Sequence, residues 1–342
     1  MQSYDVIIVG AGPAGLICAE KLIGSGLSIL LIEKDTVFGD KVCAGGLTRK
    51  DLGIYDFPDE IIARKVYKTA VHSPKRFSHA ETPDPIVITM DRKDLGRFQR
   101  ARLEGSGIEV LKGTRVNEIK EDSIITSDGK KFGYTYLVGA DGYASVVRRY
   151  LNIPVKRKLI GIQYVAPIQS RDPKLEIFLD SKHFHAWYGW IFPHRDVMSV
   201  GCCCDARFFP AARLKENFQR WLDKKRIDVS NAEYQSAPIS YDFRGLRFGN
   251  IFLVGEAAGM ASGLTGEGIF QSLVSGIEVA EYIMGRDEES EQMRYVRKYN
   301  LIQLRIMNFL IYCGPLRGII HEMILLLMNN KRFKEKINKG FS

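Results

Sequence analysis

YDVIIVGAGPAGLICAE, residues 4–20, begins as an apolar run, turns through three glycines and continues with helical spacing. A near-continuous run such as YDVIIV (4–9) is what a parallel strand buried on both faces requires. Gly10, Gly12 and Gly15 follow in G-x-G-x-x-G spacing. The first permits a tight turn, the second lets the backbone approach a pyrophosphate, and the third lets the helix close on the strand. Pro13 suits the first helical turn, where a missing N–H is not needed. The helix N-terminus then turns its positive dipole end towards phosphate. SILLIE (28–33) reads as the next strand and ends in Glu33, eighteen residues after Gly15, where a carboxylate can accept ribose hydroxyls. Strand, turn, helix and acid in this order make the glycines a dinucleotide site.

Two more strands, YLVGAD (136–141) and NIFLVGE (250–256), run into glycine-rich turns. Between them KLIGIQYVAPI, KLEIFLD and FHAWYGWIFP…VMSVGCCC suggest a mostly antiparallel sheet, with HRD (194–196) turning the last pair. Beyond Gly285 an acidic patch, DEES, precedes two helical runs separated at Gly314-Pro315. The expected fold class is α/β. A doubly wound domain would comprise 1–65, 92–155 and 245–285, with a mostly antiparallel sheet domain, 66–91 and 156–244, inserted in it and a short helical C-terminus, 286–342.

The 342 residues, 45% hydrophobic and 26% charged, suit a globular protein of two or three domains. YDVIIVGAG is too short and too acidic for a signal peptide, and no run reaches the ~18 apolar residues of a spanning helix. Six cysteines form no CxxC pair, which suits a reducing cytoplasm. The net charge of +9 is spread along the chain apart from KRFKEKINK (331–339). That pattern argues against nucleic acid as a partner and leaves, for the basic end, either a solvated helix end or attraction to an anionic membrane surface or a phosphorylated substrate.

YGWIFP (188–193) sets Tyr188, Trp190 and Phe192 two apart, closed by Pro193. In a strand the three rings share one face. From Gly268 a helix reads clearly, with Ile269, Phe270, Leu273, Val274, Ile277 and Ala280 at three- and four-residue steps. Its N-terminus would present unpaired N–H groups to an anion. Cys202, Cys203 and Cys204 alternate between strand faces and read as buried small hydrophobes, not as a metal site. His183 and His185 share a strand face and could ligate a metal, but no third ligand is visible nearby. No metal site is expected.

LVGADGYASVVRR (137–149) resembles the DG motif, and IFLVGEAAGMASGLTGEGIFQSL (251–273) the GD motif, of flavoproteins with the para-hydroxybenzoate hydroxylase fold. With KVCAGGL (41–47), YGWIFP and LTGEGI (264–269), residues 1–285 resemble the geranylgeranyl reductase family. That resemblance implies a glutathione-reductase-like Rossmann domain binding FAD. It places Gly10, Gly12, Ala14, Gly15 and Glu33 on the ADP half, and Val116 along the adenosine. Cys43, Ala44 and Gly46 would lie beside the ring, Arg92 would reach the cofactor, and Asp141, Glu256, Gly268 and Ile269 would complete the site. Glu256 stands where the family has aspartate, and Cys203 where it has the second glycine of a G-x-G.

The resemblance further implies that Tyr188, Trp190, Phe192 and Pro193 line a prenyl pocket. NAD(P)H or reduced ferredoxin would reduce the flavin. Hydride and proton would then saturate an isoprenoid double bond, with Cys43 and Tyr188 as candidate acids. An aromatic hydroxylase of the same fold, a flavin halogenase and a membrane-docked flavin electron carrier are the alternatives. The expected location is cytoplasmic, free or peripheral on the inner face of the membrane.

Overall fold

The computed structural model describes residues 1–330. Gln2–Val9 forms β1, Pro13–Lys21 α1 and Ile29–Glu33 β2. β1 is flanked in parallel by β2 and, on its other side, by β3 (Lys131–Gly139). Glu109–Lys112 extends the sheet in parallel beyond β2, and Ile251–Leu253 extends it beyond β3. An antiparallel strand, Arg247–Phe248, and the pair Val116–Ile119 and Ser123–Thr126 complete eight strands. The chain leaves β1 for one flank and later returns on the other. The carboxyl ends of β1 and β3 therefore border the crevice where open α/β sheets take ligands.

Residues Ala14 to Ala19 of α1 are all buried. The helix is enclosed by the sheet, by α2 (Arg92–Ala101) and by α3 (Ile269–Ile283). Gly276 makes the α1–α3 crossing close, since a Cβ there would overlap the Ala14 carbonyl oxygen and the Ile17 side chain.

The second sheet has seven strands. Glu233–Ser240 is at one edge, followed by β4 (Lys158–Pro167), then Val197–Cys204, then Gly189–Pro193. In chain order Gly189–Pro193 is β5 and Val197–Cys204 is β6. Leu175–Phe178, Lys68–His72 and Phe77–Glu81 continue to the other edge. Pairing is antiparallel except between Leu175–Phe178 and Lys68–His72. Helix Ala211–Lys225 packs Phe218 and Trp221 against this sheet. Gly46–Thr48, Val87–Thr89 and Arg64–Val66 pair as a separate small three-stranded sheet.

One local expectation fails. Ser181–Phe184 is a short helix, and β5 begins only at Gly189. Asp180 accepts the Lys182 N–H at 3.1 Å, a local bond that competes with strand pairing. His183 and His185 therefore do not share a strand face. His183 Nδ1 meets Asp180 Oδ2 at 2.8 Å, and His185, at φ 56°, stacks on Phe209.

α4 (Glu291–Tyr312) starts at Ser290, whose hydroxyl accepts the Met293 N–H, and ends before Gly314 at φ 56°. α5 (Leu316–Met328) follows. KRFKEKINK lies outside the described residues. Among the described residues no helix is long and apolar enough to cross a membrane.

Candidate functional site

At the crevice the glycines divide by what surrounds them. Gly10 has φ 102°, and a Cβ there would stand 2.5 Å from the Ala140 carbonyl oxygen. A Cβ on Gly15 would overlap the Gly10 carbonyl oxygen. Above Gly12 there is open space, with Ala140 O, at 4.0 Å, the nearest atom to a Cβ. The backbone is thus exposed to a ligand where a pyrophosphate needs it. Glu33 fastens the strand end to this turn: Oε2 accepts the Ala11 N–H at 2.6 Å and Oε1 the Asp35 N–H at 2.9 Å. Ala14 is buried beside Gly255. Val116, also buried, follows Thr114, whose N–H donates to the Glu33 carbonyl at 2.9 Å.

Further along the crevice, charged groups are buried with open valences. Arg92, first residue of α2, is buried, and its Nη1 has no hydrogen-bond partner. Burial lowers its pKa, while nearby Cys43, Glu256 and Asp91 favour the cation. Asp141, just past β3, accepts the Val146 N–H at 2.6 Å through Oδ2, while buried Oδ1 has no partner. Burial raises its pKa. Glu256, the residue that replaces aspartate, meets Lys41 Nζ at 2.7 Å, so the longer side chain reaches the KVCAGGL loop. A free Arg donor, a free Asp acceptor and an open glycine cradle suit a ligand bearing phosphate and hydroxyl groups. They fit FAD.

That loop is clamped to the aromatic strand. A Cβ on Gly46 would stand 2.7 Å from the Phe192 ring. His194 Nε2 donates to the Ala44 carbonyl at 3.0 Å, and burial lowers the His194 pKa. Cys43 Sγ accepts the Gly45 N–H at 3.3 Å. Thr89 Oγ1 donates to the Pro193 carbonyl at 2.7 Å. A buried polar chain ties the two parts together: Trp190 Nε1 donates to Ser199 Oγ at 3.0 Å, and Ser199 donates to Gln163 Oε1 at 2.9 Å. Gln163 Nε2 in turn donates to the Cys43 carbonyl at 3.2 Å and to Gln235 Oε1 at 2.8 Å.

Tyr188, Trp190 and Phe192 do share a face, with ring centroids 6.2 and 6.4 Å apart. This wall also holds the turn before α3. Trp187 Nε1 donates to the Gly263 carbonyl at 2.9 Å, and the Tyr188 hydroxyl to the Thr265 carbonyl at 2.5 Å. Burial raises the Tyr188 pKa well above its ordinary value. Gly268 caps α3 without a side-chain bond, and Ile269 opens the helix beside Ile17 and Leu47. Glu267, one residue earlier, is bound by Lys50 Nζ at 2.9 and 3.0 Å.

Gln163, Ser199, His194 and Lys50 were not singled out by sequence. Only His194 carried a signal, as the residue directly after Pro193. Gln163 and Ser199 read as ordinary polar positions in strands, and their partners are far away in the chain.

Residues 3–281 match the FAD binding domain family, FAD_binding_3. An uncharacterized protein of Methanosarcina barkeri is 32% identical over 320 residues, covering 87% of this chain and 80% of that protein. The geranylgeranyl diphosphate reductase of Rhodobacter capsulatus is 28% identical over 306 residues, covering 83% and 75%. A geranylgeranyl bacteriochlorophyll reductase-like protein of Thermoplasma acidophilum superimposes with TM-score 0.83 at 20% identity, covering 97% of this chain and 92% of that one. The chain belongs to the FAD binding domain family, as an FAD-dependent oxidoreductase with relatives named geranylgeranyl reductases.

Proposed function

We propose that the protein saturates carbon–carbon double bonds of an isoprenoid, geranylgeranyl-type chain. The observation that carries this reading is the aromatic face of Tyr188, Trp190 and Phe192 fastened directly to the Cys43–Gly46 loop. An alkene offers no hydrogen-bonding group, so apolar walls must orient it by shape. Each buried methylene contributes about 0.8 kcal/mol, which holds a long prenyl chain without polar contacts.

In this reading Gly10, Gly12, Ala14, Gly15, Glu33 and Val116 hold the ADP half of FAD. Arg92, Asp141 and Glu256 hold its middle, and Cys43, Ala44, Gly46, Gly268 and Ile269 border the ring. Bound FAD supplies hydride, after reduction by NAD(P)H or a ferredoxin. The Tyr188 hydroxyl is committed to the Thr265 carbonyl, so Tyr188 serves as wall and clamp. Cys43, whose Sγ accepts the Gly45 N–H beside the ring position, is then the candidate acid for the second alkene carbon. Cys203, the residue replacing a family glycine, lies near enough to Tyr188 to add to the rise in its pKa that burial causes.

The test is mass spectrometry of products after anaerobic dithionite reduction of the holoenzyme with geranylgeranyl diphosphate. A gain of about two mass units per saturated bond is expected. No anaerobic gain, with about sixteen units added to an aromatic substrate in air and NAD(P)H, would make the protein a hydroxylase.

A further inference from the structure

The outward sides of α4 and α5 are apolar. At the end of α4 Phe309 is 60% exposed and Tyr312 74%, while Met307, Leu310 and Ile311 are buried. On α5 Leu316, Ile319, Met323 and Leu326 are 56–59% exposed, while Arg317, His321 and Leu325 face inward at four-residue steps. The two faces join at a rigid corner. Gly314 takes φ 56° between the helices, and buried Arg317 donates through Nε to the Leu310 carbonyl at 2.6 Å and through Nη2 to the Ile311 carbonyl at 2.9 Å. Folded monomers rarely leave so large a contiguous apolar patch in water.

Charge says what covers it. From Lys298 to the last residue the sequence has eight lysines and arginines against two glutamates, a net +6 of the chain's +9. One of those glutamates, Glu322, is held by Arg76 at 2.8 Å and by the Lys75 N–H at 3.1 Å. Lys298 and Arg305 form no ion pair among the described residues. A second copy of this chain would bring cations against cations. An anionic bilayer takes both features at once, the side chains at the acyl boundary and the cations at headgroup phosphates.

We propose that α4 and α5 lie in the plane of an anionic membrane surface and dock the enzyme there. This docking stands on the C-terminal helices alone and does not depend on the isoprenoid reading. Neither helix is both long and apolar enough to cross a membrane, so they lie on its surface.

Full-length protein is floated with vesicles of phosphatidylcholine alone, or of phosphatidylcholine with about one-third phosphatidylglycerol. The bound fraction is expected to rise roughly tenfold with the anionic lipid and to fall as salt is added. The combined variant Phe309→Ser, Leu316→Ser, Ile319→Ser is expected to lose about tenfold or more in binding at unchanged melting temperature. Lys298→Glu with Arg305→Glu, which leaves the apolar face intact, should lower only the preference for anionic vesicles. Equal binding to both vesicle types, or none, overturns the proposal. So does light scattering that shows a dimer dispersed by the serine variant, which would make the face a self-interface.

Discussion

Arg92 opposes folding in the absence of an acceptor for its Nη1, because a buried guanidinium with an open donor retains much of its desolvation penalty. Such a group is tolerated where a ligand completes it. Arg92→Met should therefore separate two quantities that normally move together. The apo protein is expected to keep its stability or gain about 1–3 kcal/mol, while FAD affinity falls by about tenfold or more. Thermal melts of the apo form and flavin-fluorescence titration measure the two. An apo melting temperature that drops as far as the holo one would show that Arg92 serves the fold and not the ligand. Asp141 makes a similar statement with opposite charge: one oxygen organises the turn after β3, and the other waits for a hydroxyl.

Elements meet here through small residues at their crossings. Gly276 lets α3 rest on the backbone of α1, and the glycine turn opens directly into α1. Gly276→Ala would push a methyl group into the Ala14 carbonyl. The gain in helix propensity is at most about 1 kcal/mol, whereas overpacking costs about 1–3 kcal/mol. The net expectation is destabilisation, read as a lower urea midpoint, together with weaker FAD binding as α1 shifts. A midpoint that rises would mean the crossing relaxes freely and the helix pair does not position the glycine turn. The hairpin of β5 and β6 shows the same economy: a Cβ on Gly201 would collide with the Trp190 ring, so the indole lies on bare backbone.

Acid acts on the molecule as a whole through three histidines. His185 is brought to about 4, and His194 and His321 are also lowered, each chiefly by burial. Folded, these rings stay neutral where the unfolded chain, with an ordinary value near 6.5, takes up protons. Their contribution to stability is full above about 6.5 and is lost as pH falls towards 4. Asp51, raised to about 7 by burial and by Glu267, and Asp141, raised by burial, work the other way in this window, as two groups against three. The melting temperature should fall between about pH 6.5 and 4, and His185→Gln should flatten that fall. A melting temperature constant across the window in the unsubstituted protein would refute it.

How much of this was readable in the chain depends on the range of the interaction. The glycine turn, the Pro13 start of α1, the α3 helix beginning after Gly268 and the aromatic alternation of β5 all follow from local sterics and periodicity. All were legible without coordinates. The helix at Ser181–Phe184 was not, because the run through FHAW carries a strand-like composition and Asp180 decides the matter, its side chain accepting the Lys182 N–H and its carbonyl the His183 and Phe184 N–H groups. The Gln163–Ser199–Trp190 chain was not either. A polar residue in a strand looks solvent-facing until its partner is known, and Gln163 finds the Cys43 carbonyl 120 residues away. The sequence alone determined that a dinucleotide-binding turn and an aromatic strand exist, because each is encoded within a few neighbouring residues. Only the tertiary structure decided that the strand is fastened to the Cys43 loop, and that Arg92 and Asp141 stand buried with open valences, because those facts depend on which distant groups exclude water from one another.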